Sequence, residues 1–138
     1  MKVKIKKLVE NAVIPAYAKK GDAAMDLTAT SMELIGTEMI KYNFGIAIEI
    51  PFGYVGLIFP RSSCYKQEQI LSNSVGVIDS GYRGEVSALM IGTSNKKYKS
   101  GDRVAQILIL PYPEIEFELT DNLSESERGE GGYGSTGK

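Results

Sequence analysis

The chain has 138 residues, with 16 Lys and Arg against 17 Asp and Glu, one cysteine and no histidine. This length suits one domain with a single core, and a net charge of −1 gives no overall positive field, so we expect no stable nucleic-acid binding. Without histidine or a second cysteine, intrachain disulfides, histidine-ligated zinc sites and Ser-His-Asp triads are excluded, which leaves acid–base chemistry to carboxylates, Lys or Tyr.

Alternation of apolar and polar residues with period two predicts that strands dominate. In chain order the predicted strands contain Val3 and Ile5, then Ile46, Ile48 and Ile50, then residues 54–59, 86–91, 104–110 and 115–119. One short helix is predicted over residues 62–69, with Ser62 or Ser63 as its cap. Many short strands separated by Gly and Pro turns predict a sandwich, jelly roll or barrel.

The N-terminal residues alternate Lys with β-branched side chains, where a signal peptide would carry an apolar block. No stretch approaches the roughly 18 apolar residues that a membrane helix needs. We therefore expect a cytoplasmic protein without membrane association.

The composition changes after Leu119: residues 120–127 are polar, and residues 128–138 are rich in glycine. We therefore divide the chain into a β domain, residues 1–119, and a flexible arm, residues 120–138. Composition alone favours a mobile end for this arm. The alternative is that glycine amides, two hydroxyls and Arg128 close over a phosphate chain.

Five segments carry most of the candidate chemistry. They are AAMDL at 23–27, PRSS at 60–63, the run from Asn73 through VIDSGYRGE to residue 85, GDRVAQ at 101–106, and RGEGGYGSTGK at 128–138. In this order and spacing they resemble the five motifs of the homotrimeric dUTPases, over nearly the whole chain. The resemblance implies an all-β, distorted jelly roll or β-barrel of short strands with one short helix. It also implies trimers with shared active sites, in which the last segment, including an exchanged C-terminal strand, crosses to a neighbour.

The activity implied by the resemblance is Mg²⁺-dependent hydrolysis of dUTP at the α-phosphate to dUMP and pyrophosphate. This reaction limits uracil in DNA and supplies dUMP for dTMP synthesis. Asp79 matches the carboxylate that orients and deprotonates the attacking water, a task that suits a partly buried Asp near Arg or a metal. The alternative for Asp79 is an ordinary turn residue capping the bend that follows it.

The same run of residues would recognise the nucleoside. Tyr82 matches the ring that packs on the deoxyribose and leaves no room for a 2′-hydroxyl. Asn73 matches the side chain that reads the uracil edge, since an amide both donates and accepts hydrogen bonds. Gly76 and Val77 belong to the same substrate-binding stretch.

Arg61, Ser62 and Ser63 match the phosphate side, with the arginine as an electrostatic anchor and a serine near the leaving pyrophosphate. A serine nucleophile would need an adjacent base, and with no histidine we disfavour that interpretation. Gln106 matches a phosphate-contacting amide, although it could equally be a polar outward residue of its strand. Asp102 and Arg103 are interpreted as structural, fixing a turn and a salt bridge.

In the arm, the resemblance assigns Arg128 to the γ-phosphate and Tyr133 to stacking over the uracil. Gly134, Ser135 and Thr136 would then contact phosphate oxygens. No residue is expected to bind Mg²⁺ directly: the substrate phosphates and water would hold it, with Asp26 supporting the metal-bound waters or the site framework.

Some positions depart from the family pattern, among them Ala24, Ser63, Tyr133 and Gln69, the last standing where glycine is common. Two alternatives remain. A dCTP deaminase would need a glutamate where this chain has Leu89. A regulatory module that uses the nucleotide as a switch would tolerate loss of Asp79 or Arg128, and both are present.

Overall fold

The structure is a computed structural model that describes residues 1–92 and 96–133. Its strands are β1 Lys4–Lys7, β2 Met25–Thr28, β3 Ser31–Ile35, β4 Met39–Asn43, β5 Ile46–Glu49, β6 Tyr54–Pro60, β7 Gln69–Leu71, β8 Gly76–Ile78, β9 Ser87–Gly92 and β10 Arg103–Pro111. A single 3-10 turn, Cys64–Gln67, lies between β6 and β7. The prediction of an all-β fold is confirmed.

The strands form two four-stranded sheets and one two-stranded ribbon. One sheet has the order β2-β10-β6-β8, the other has the order β3-β4-β9-β7, and the ribbon pairs β1 with β5. Every pairing is antiparallel. The first sheet matters most for function because the candidate residues lie at or near the ends of its strands.

The core lies where the alternating strands turn their apolar residues inward. In β4 and β5 the buried positions alternate, with Tyr42 and Ile46 fully buried, and Ile107 of the central strand β10 is also fully buried. Burying one such side chain contributes about 1.5–3 kcal/mol, so these few strands supply much of the driving force for folding.

The predicted helix over residues 62–69 is wrong in type and extent. Only one 3-10 turn forms, and the Ser63 side chain makes no capping hydrogen bond to it. Glu68 follows with a left-handed φ of 53°, which ends the turn. Gln69 then begins β7 with its side chain buried.

The strand predicted at residues 115–119 does not form within the single chain, where residues 112–133 contain no strand. The apolar side chains of Ile115, Phe117 and Leu119 are 65%, 94% and 100% exposed. An isolated segment cannot satisfy its backbone groups by pairing, so a strand here requires a partner. Exchange with a second copy stays a prediction.

Candidate active site

One group of candidate residues, which we call the Arg61 cluster, gathers Asp26, Arg61, Arg103 and Gln106. Strand register explains why these side chains lie close together. Gln106 of β10 lies between Asp26 of β2 and Phe59 of β6. Arg61 follows β6 directly, and Arg103 begins β10. Three neighbouring strands therefore fix these side chains at one edge of the sheet.

Asp26 pairs with both arginines of this cluster. Its Oδ1 accepts from Arg61 Nε at 2.6 Å and its Oδ2 from Arg103 Nη1 at 3.0 Å. The Asp26 and Arg61 side chains are only 20% and 25% exposed, so water screens their pairing less than it would screen a surface pair. Asp26 therefore holds the two arginines together, and the predicted salt bridge of Arg103 is confirmed.

The outer part of the Arg61 guanidinium is held more loosely than its Nε. Nη1 makes two contacts of 3.5 Å, to Ser63 Oγ and to the Arg103 carbonyl, both at the limit of hydrogen-bond length. These donors can turn to an anion without loss of the Asp26 pair. Ser62, next to Arg61, is exposed.

A cleft of about 500 Å³ opens beside the cluster. Arg61, Ser62, Arg103 and Gln106 line it together with Asp22, Asp26 and residues of the 18–24 loop. Gln106 Nε2 donates to the Pro60 carbonyl at 3.0 Å, which fixes the orientation of the amide at the cleft. The predicted turn role of Asp102 is confirmed, since its Oδ2 accepts from the Lys99 amide at 2.7 Å.

The second group is the Asp79 segment, residues 73–85. β8 pairs with β6, and Asp79 follows it at the sheet end near Val55. The Asp79 carbonyl accepts from the Tyr82 amide at 3.0 Å in a turn, and Asp79 is exposed in the single chain. The expectation of a partly buried Asp79 is therefore not met within one chain. Asp79, Ser80, Tyr54, Val55 and Tyr112 line a cavity of about 320 Å³.

Internal hydrogen bonds hold the loop after Asp79. Tyr82 Oη donates to the Glu85 carbonyl at 3.0 Å, and Arg83 Nη1 donates to the carbonyls of Ser80 and Tyr82 at 2.6 and 2.9 Å. A Cβ on Gly84 would overlap the Tyr82 ring, so glycine is required where this ring folds back over the loop. Tyr82 nevertheless remains 43% exposed, with part of its ring open to a ligand.

Asn73 and the start of β8 lie at the other end of the same segment. Gly76 is buried opposite Ile58, whose Cβ would be 3.2 Å from a Cβ at Gly76. The Asn73 side chain is nearby, with its Nδ2 3.7 Å from that position, and Val77 is 59% exposed. At this end of β8 the amide side chain of Asn73 therefore lies next to the Gly76 backbone, which carries no side chain.

The single chain does not bring the Arg61 cluster and Asp79 together. Val55, beside Asp79, and Arg61 are six residues apart along β6 and its continuation, which corresponds to about 20 Å. A water held at Asp79 of the same chain would therefore lie far from a phosphate held at Arg61.

The arm also stays away from both groups. Arg128 Nε donates to the Gly131 carbonyl at 2.9 Å, a contact within the arm, and Tyr133 is fully exposed. Gly134, Ser135 and Thr136 lie outside the described residues. Arg128 and Tyr133 therefore contact neither the Arg61 cluster nor Asp79 in their own chain.

One buried polar residue escaped the sequence interpretation. Gln69 was placed at the end of the predicted helix and noted as a departure from a family pattern, yet it is 2% exposed and hydrogen-bonded in the core. A polar residue between the 3-10 turn and the apolar residues of β7 was the available signal.

Comparison with known proteins identifies the family. The family model described as dUTPase matches residues 10–137. The deoxyuridine 5'-triphosphate nucleotidohydrolase of Nautilia profundicola is 44% identical, with all of both chains covered. That of Cutibacterium acnes is 39% identical over 90% of this chain and 85% of the relative.

The chain belongs to the dUTPase family. A solved structure of the Staphylococcus bacteriophage 80alpha dUTPase with dUpNHpp has 27% identity to this dUTPase-family chain and a TM-score of 0.86, with 99% of both chains covered. The likeness supports the jelly-roll interpretation of the fold.

Two further observations concern metal binding and membrane spans in this dUTPase-family chain. Among the described residues, no three acidic or thiol side chains gather closely enough to hold a metal ion. In the same part of the chain, no helix has the length and apolar character needed to span a bilayer.

Proposed function

We propose that this dUTPase-family enzyme hydrolyses dUTP to dUMP and pyrophosphate in the cytoplasm, at active sites that the chains of a homotrimer build together. The family match over residues 10–137 is the main support for this reaction. The relatives named above are deoxyuridine 5'-triphosphate nucleotidohydrolases. The reaction would limit uracil in DNA and supply dUMP for dTMP synthesis.

The Arg61 cluster is proposed to bind the phosphate chain. Arg61 keeps its fixed Nε pair with Asp26 and turns its outer donors to the phosphate oxygens. Arginine suits this task because its planar fork remains charged and binds two oxygens at once. Ser62, Ser63 and Gln106 add neutral donors from the same edge of the sheet.

Asp79 is proposed as the general base for water attack on the α-phosphorus. It would take a proton from the water while the new P–O bond forms and the bond to pyrophosphate breaks. Its exposure in the single chain means that the surroundings for this role must come from another chain. A serine nucleophile remains disfavoured, because Arg61 is the neighbour of Ser63 and is no base.

The rest of the Asp79 segment is proposed to select the nucleoside. The Tyr82 ring, held by Glu85 and given space by Gly84, would pack on the deoxyribose where a 2′-hydroxyl would otherwise fit. Asn73 would read the uracil edge, with the backbone of Gly76 and Val77 beside it. The fixed ring gives this selection a steric basis.

The arm is proposed to close over the bound nucleotide of a neighbouring chain. Arg128 would pair with the γ-phosphate, Tyr133 would stack on the uracil, and Gly134, Ser135 and Thr136 would contact phosphate oxygens. The exposure of Arg128 and Tyr133 leaves both free to do so. Closure would exclude bulk water, which is a gating role.

Mg²⁺ is proposed as the cofactor, since hard oxygen ligands and a triphosphate suit this ion. When bound, it would neutralise phosphate charge and favour attack at the α-phosphorus. Asp26 fits an outer role only, because both of its oxygens already accept from arginines. The substrate phosphates and water would therefore supply the direct ligands.

The charge pattern of two segments supports strand exchange within the trimer. Residues 114–119 alternate Glu with exposed apolar side chains, whereas β1, Lys4–Lys7, and the residues before it alternate Lys with Val and Ile. Among the described residues β1 pairs only with β5, so its other edge can receive a strand. We propose that residues 114–119 of one copy add to β1 of another, with Glu opposite Lys.

The test is pyrophosphate release from dUTP, dCTP, dTTP and UTP with Mg²⁺, with products separated by chromatography. We expect rapid dUMP formation from dUTP alone. Ammonia and dUTP formed from dCTP would demonstrate a deaminase instead. No turnover of any of the four nucleotides would refute the proposed activity and favour the regulatory alternative.

A further inference from the structure

A buried polar network is centred on Tyr42 of β4. Tyr42 Oη is 3.2 Å from both Oε1 and Nε2 of Gln69 and accepts from the Tyr98 amide, also at 3.2 Å. Gln69 Nε2 also donates to the Lys96 carbonyl at 2.9 Å. The network thereby connects β4, β7 and the segment 96–98.

The backbone opposite Gln69 makes room for this side chain. Gln69 of β7 pairs with Gly92 of β9, and a Cβ on Gly92 would come within 2.7 Å of Gln69 Cγ and 3.2 Å of the Glu68 carbonyl. An amide is costly to bury unless its donors and acceptor are satisfied, and here both ends have partners. The site is thus built for a polar side chain.

The network connects two chain segments that adjoin the arginines: the one that follows Arg61 and the one that precedes Arg103. Gln69 follows the loop and 3-10 turn that run from Arg61, while segment 96–98 leads into the turn before Arg103. Lys96 Nζ also pairs with Glu68 Oε1 at 2.6 Å, a second connection between the same two segments. A shift of β7 against segment 96–98 would therefore move the loop that follows Arg61 against the turn that precedes Arg103.

Tyr98 joins the network through its backbone amide, and its ring packs on the central tyrosine. Its ring packs edge-on against Tyr42 with centroids 5.6 Å apart. Burial raises the pKa of the Tyr98 phenol, Cys64 adds to the rise and the Arg61 guanidinium opposes it, so these groups lie within electrostatic reach of the ring. The phenol oxygen has no hydrogen-bond partner within the described residues, so Tyr98 takes part through its ring and backbone.

We propose that Gln69 and Tyr42 are positioning residues for phosphate recognition: their hydrogen bonds fix the spacing of the Arg61 loop and the Arg103 turn. This inference rests on the proposed binding of dUTP phosphates at the Arg61 cluster. It assigns a purpose to Gln69, which stands where the family pattern commonly has glycine.

The test compares Tyr42→Phe and Gln69→Leu with the control Tyr98→Phe. Tyr42→Phe and Tyr98→Phe each remove one hydroxyl from touching rings, but only Tyr42 uses it in the network. The dissociation constants of dUpNHpp and dUMP are measured well below each melting temperature. dUMP lacks the β- and γ-phosphates, so it reports on an intact nucleoside pocket.

We expect Tyr42→Phe to weaken the binding of dUpNHpp about fivefold and Gln69→Leu to weaken it about tenfold. Small displacements of the groups that position a ligand have large effects on its binding. Binding of dUMP should change less than twofold in both variants. Tyr98→Phe should leave both affinities unchanged. This selective loss is the supporting result.

Two results would show that the network has only a structural role and would overturn the inference. One is an equal loss of affinity for both ligands, and the other is a lower melting temperature with unchanged affinities. A Tyr98→Phe protein as impaired as Tyr42→Phe would overturn it too. These results leave wild-type dUTP hydrolysis in place, so only the inference fails. A wild-type protein that binds neither ligand would remove the proposed function and the inference together.

Discussion

The Arg61 cluster and the Asp79 segment differ in how far one chain completes them. In the cluster, Asp26 fixes two arginines from neighbouring strands, and its side chain is 20% exposed. Asp79 follows a short strand and is exposed, with its carbonyl in the loop turn. One chain therefore pre-organises the charges of the proposed phosphate site, whereas it leaves the proposed catalytic carboxylate exposed.

The largest expected effect is on Asp79, the exposed member of this comparison. Asp79→Asn keeps the shape but removes the base, so turnover of dUTP should fall about 10³-fold, in the range typical of lost general-base catalysis. The dissociation constant of dUpNHpp should change little, because the Arg61 cluster is untouched. Steady-state kinetics and calorimetry measure the two quantities, and retained turnover would remove Asp79 from the mechanism.

Mixing two inactive variants tests directly whether the two regions meet between chains. Asp79→Asn and Arg61→Gln proteins are unfolded together and refolded at equal amounts, with each variant refolded alone as control. In the proposed trimer a complete site takes Arg61 from one chain and Asp79 from its neighbour, so about a quarter of the sites in random trimers should be restored. No recovery, despite mixed trimers seen by mass spectrometry, would place both residues in one chain's site.

Deletion of residues 128–138 is expected to affect catalysis without affecting the fold. Among the described arm residues, Arg128 bonds within the arm and Tyr133 is fully exposed, so the core loses no packing. We expect dUTP turnover to fall about 10²-fold, since water exclusion and γ-phosphate contacts are lost. The melting temperature and the mass in solution should stay near the wild-type values, and a collapse of either would make the arm structural.

The sequence predicted those parts of the molecule that local alternation determines. Residues 46–50, 54–59, 86–91 and 104–110 were recognised as strands, and most buried positions there alternate with partly buried ones. β3, Ser31–Ile35, was not predicted: its sequence alternates polar and apolar residues, but Met32 and Leu34 lie exposed in this edge strand. The segment 115–119 has the alternation but lacks a partner strand in its own chain.

For the site, the sequence predicted residue types better than spatial relations. Asp26, Arg61 and Gln106 were recognised individually, but their meeting depends on the register of β2, β10 and β6, which no local pattern specifies. The separation of Arg61 from Asp79 depends on the same register. Gln69 could not be interpreted at all until β4 and segment 96–98 were placed around it.

The smallest expected effect concerns Tyr98, which is buried against Tyr42. Burial raises the pKa of its phenol, so the folded state holds the proton more tightly than the unfolded chain, in which tyrosine titrates near about pH 10. The stability linked to this group is full below that pH and is lost as pH rises through the folded pKa. Tyr98→Phe should therefore unfold in urea like the wild type at pH 7 but lose less stability as the pH rises above about 10. Identical alkaline profiles for wild type and Tyr98→Phe would mean that the phenol reaches water in the folded protein, and burial would then not raise its pKa.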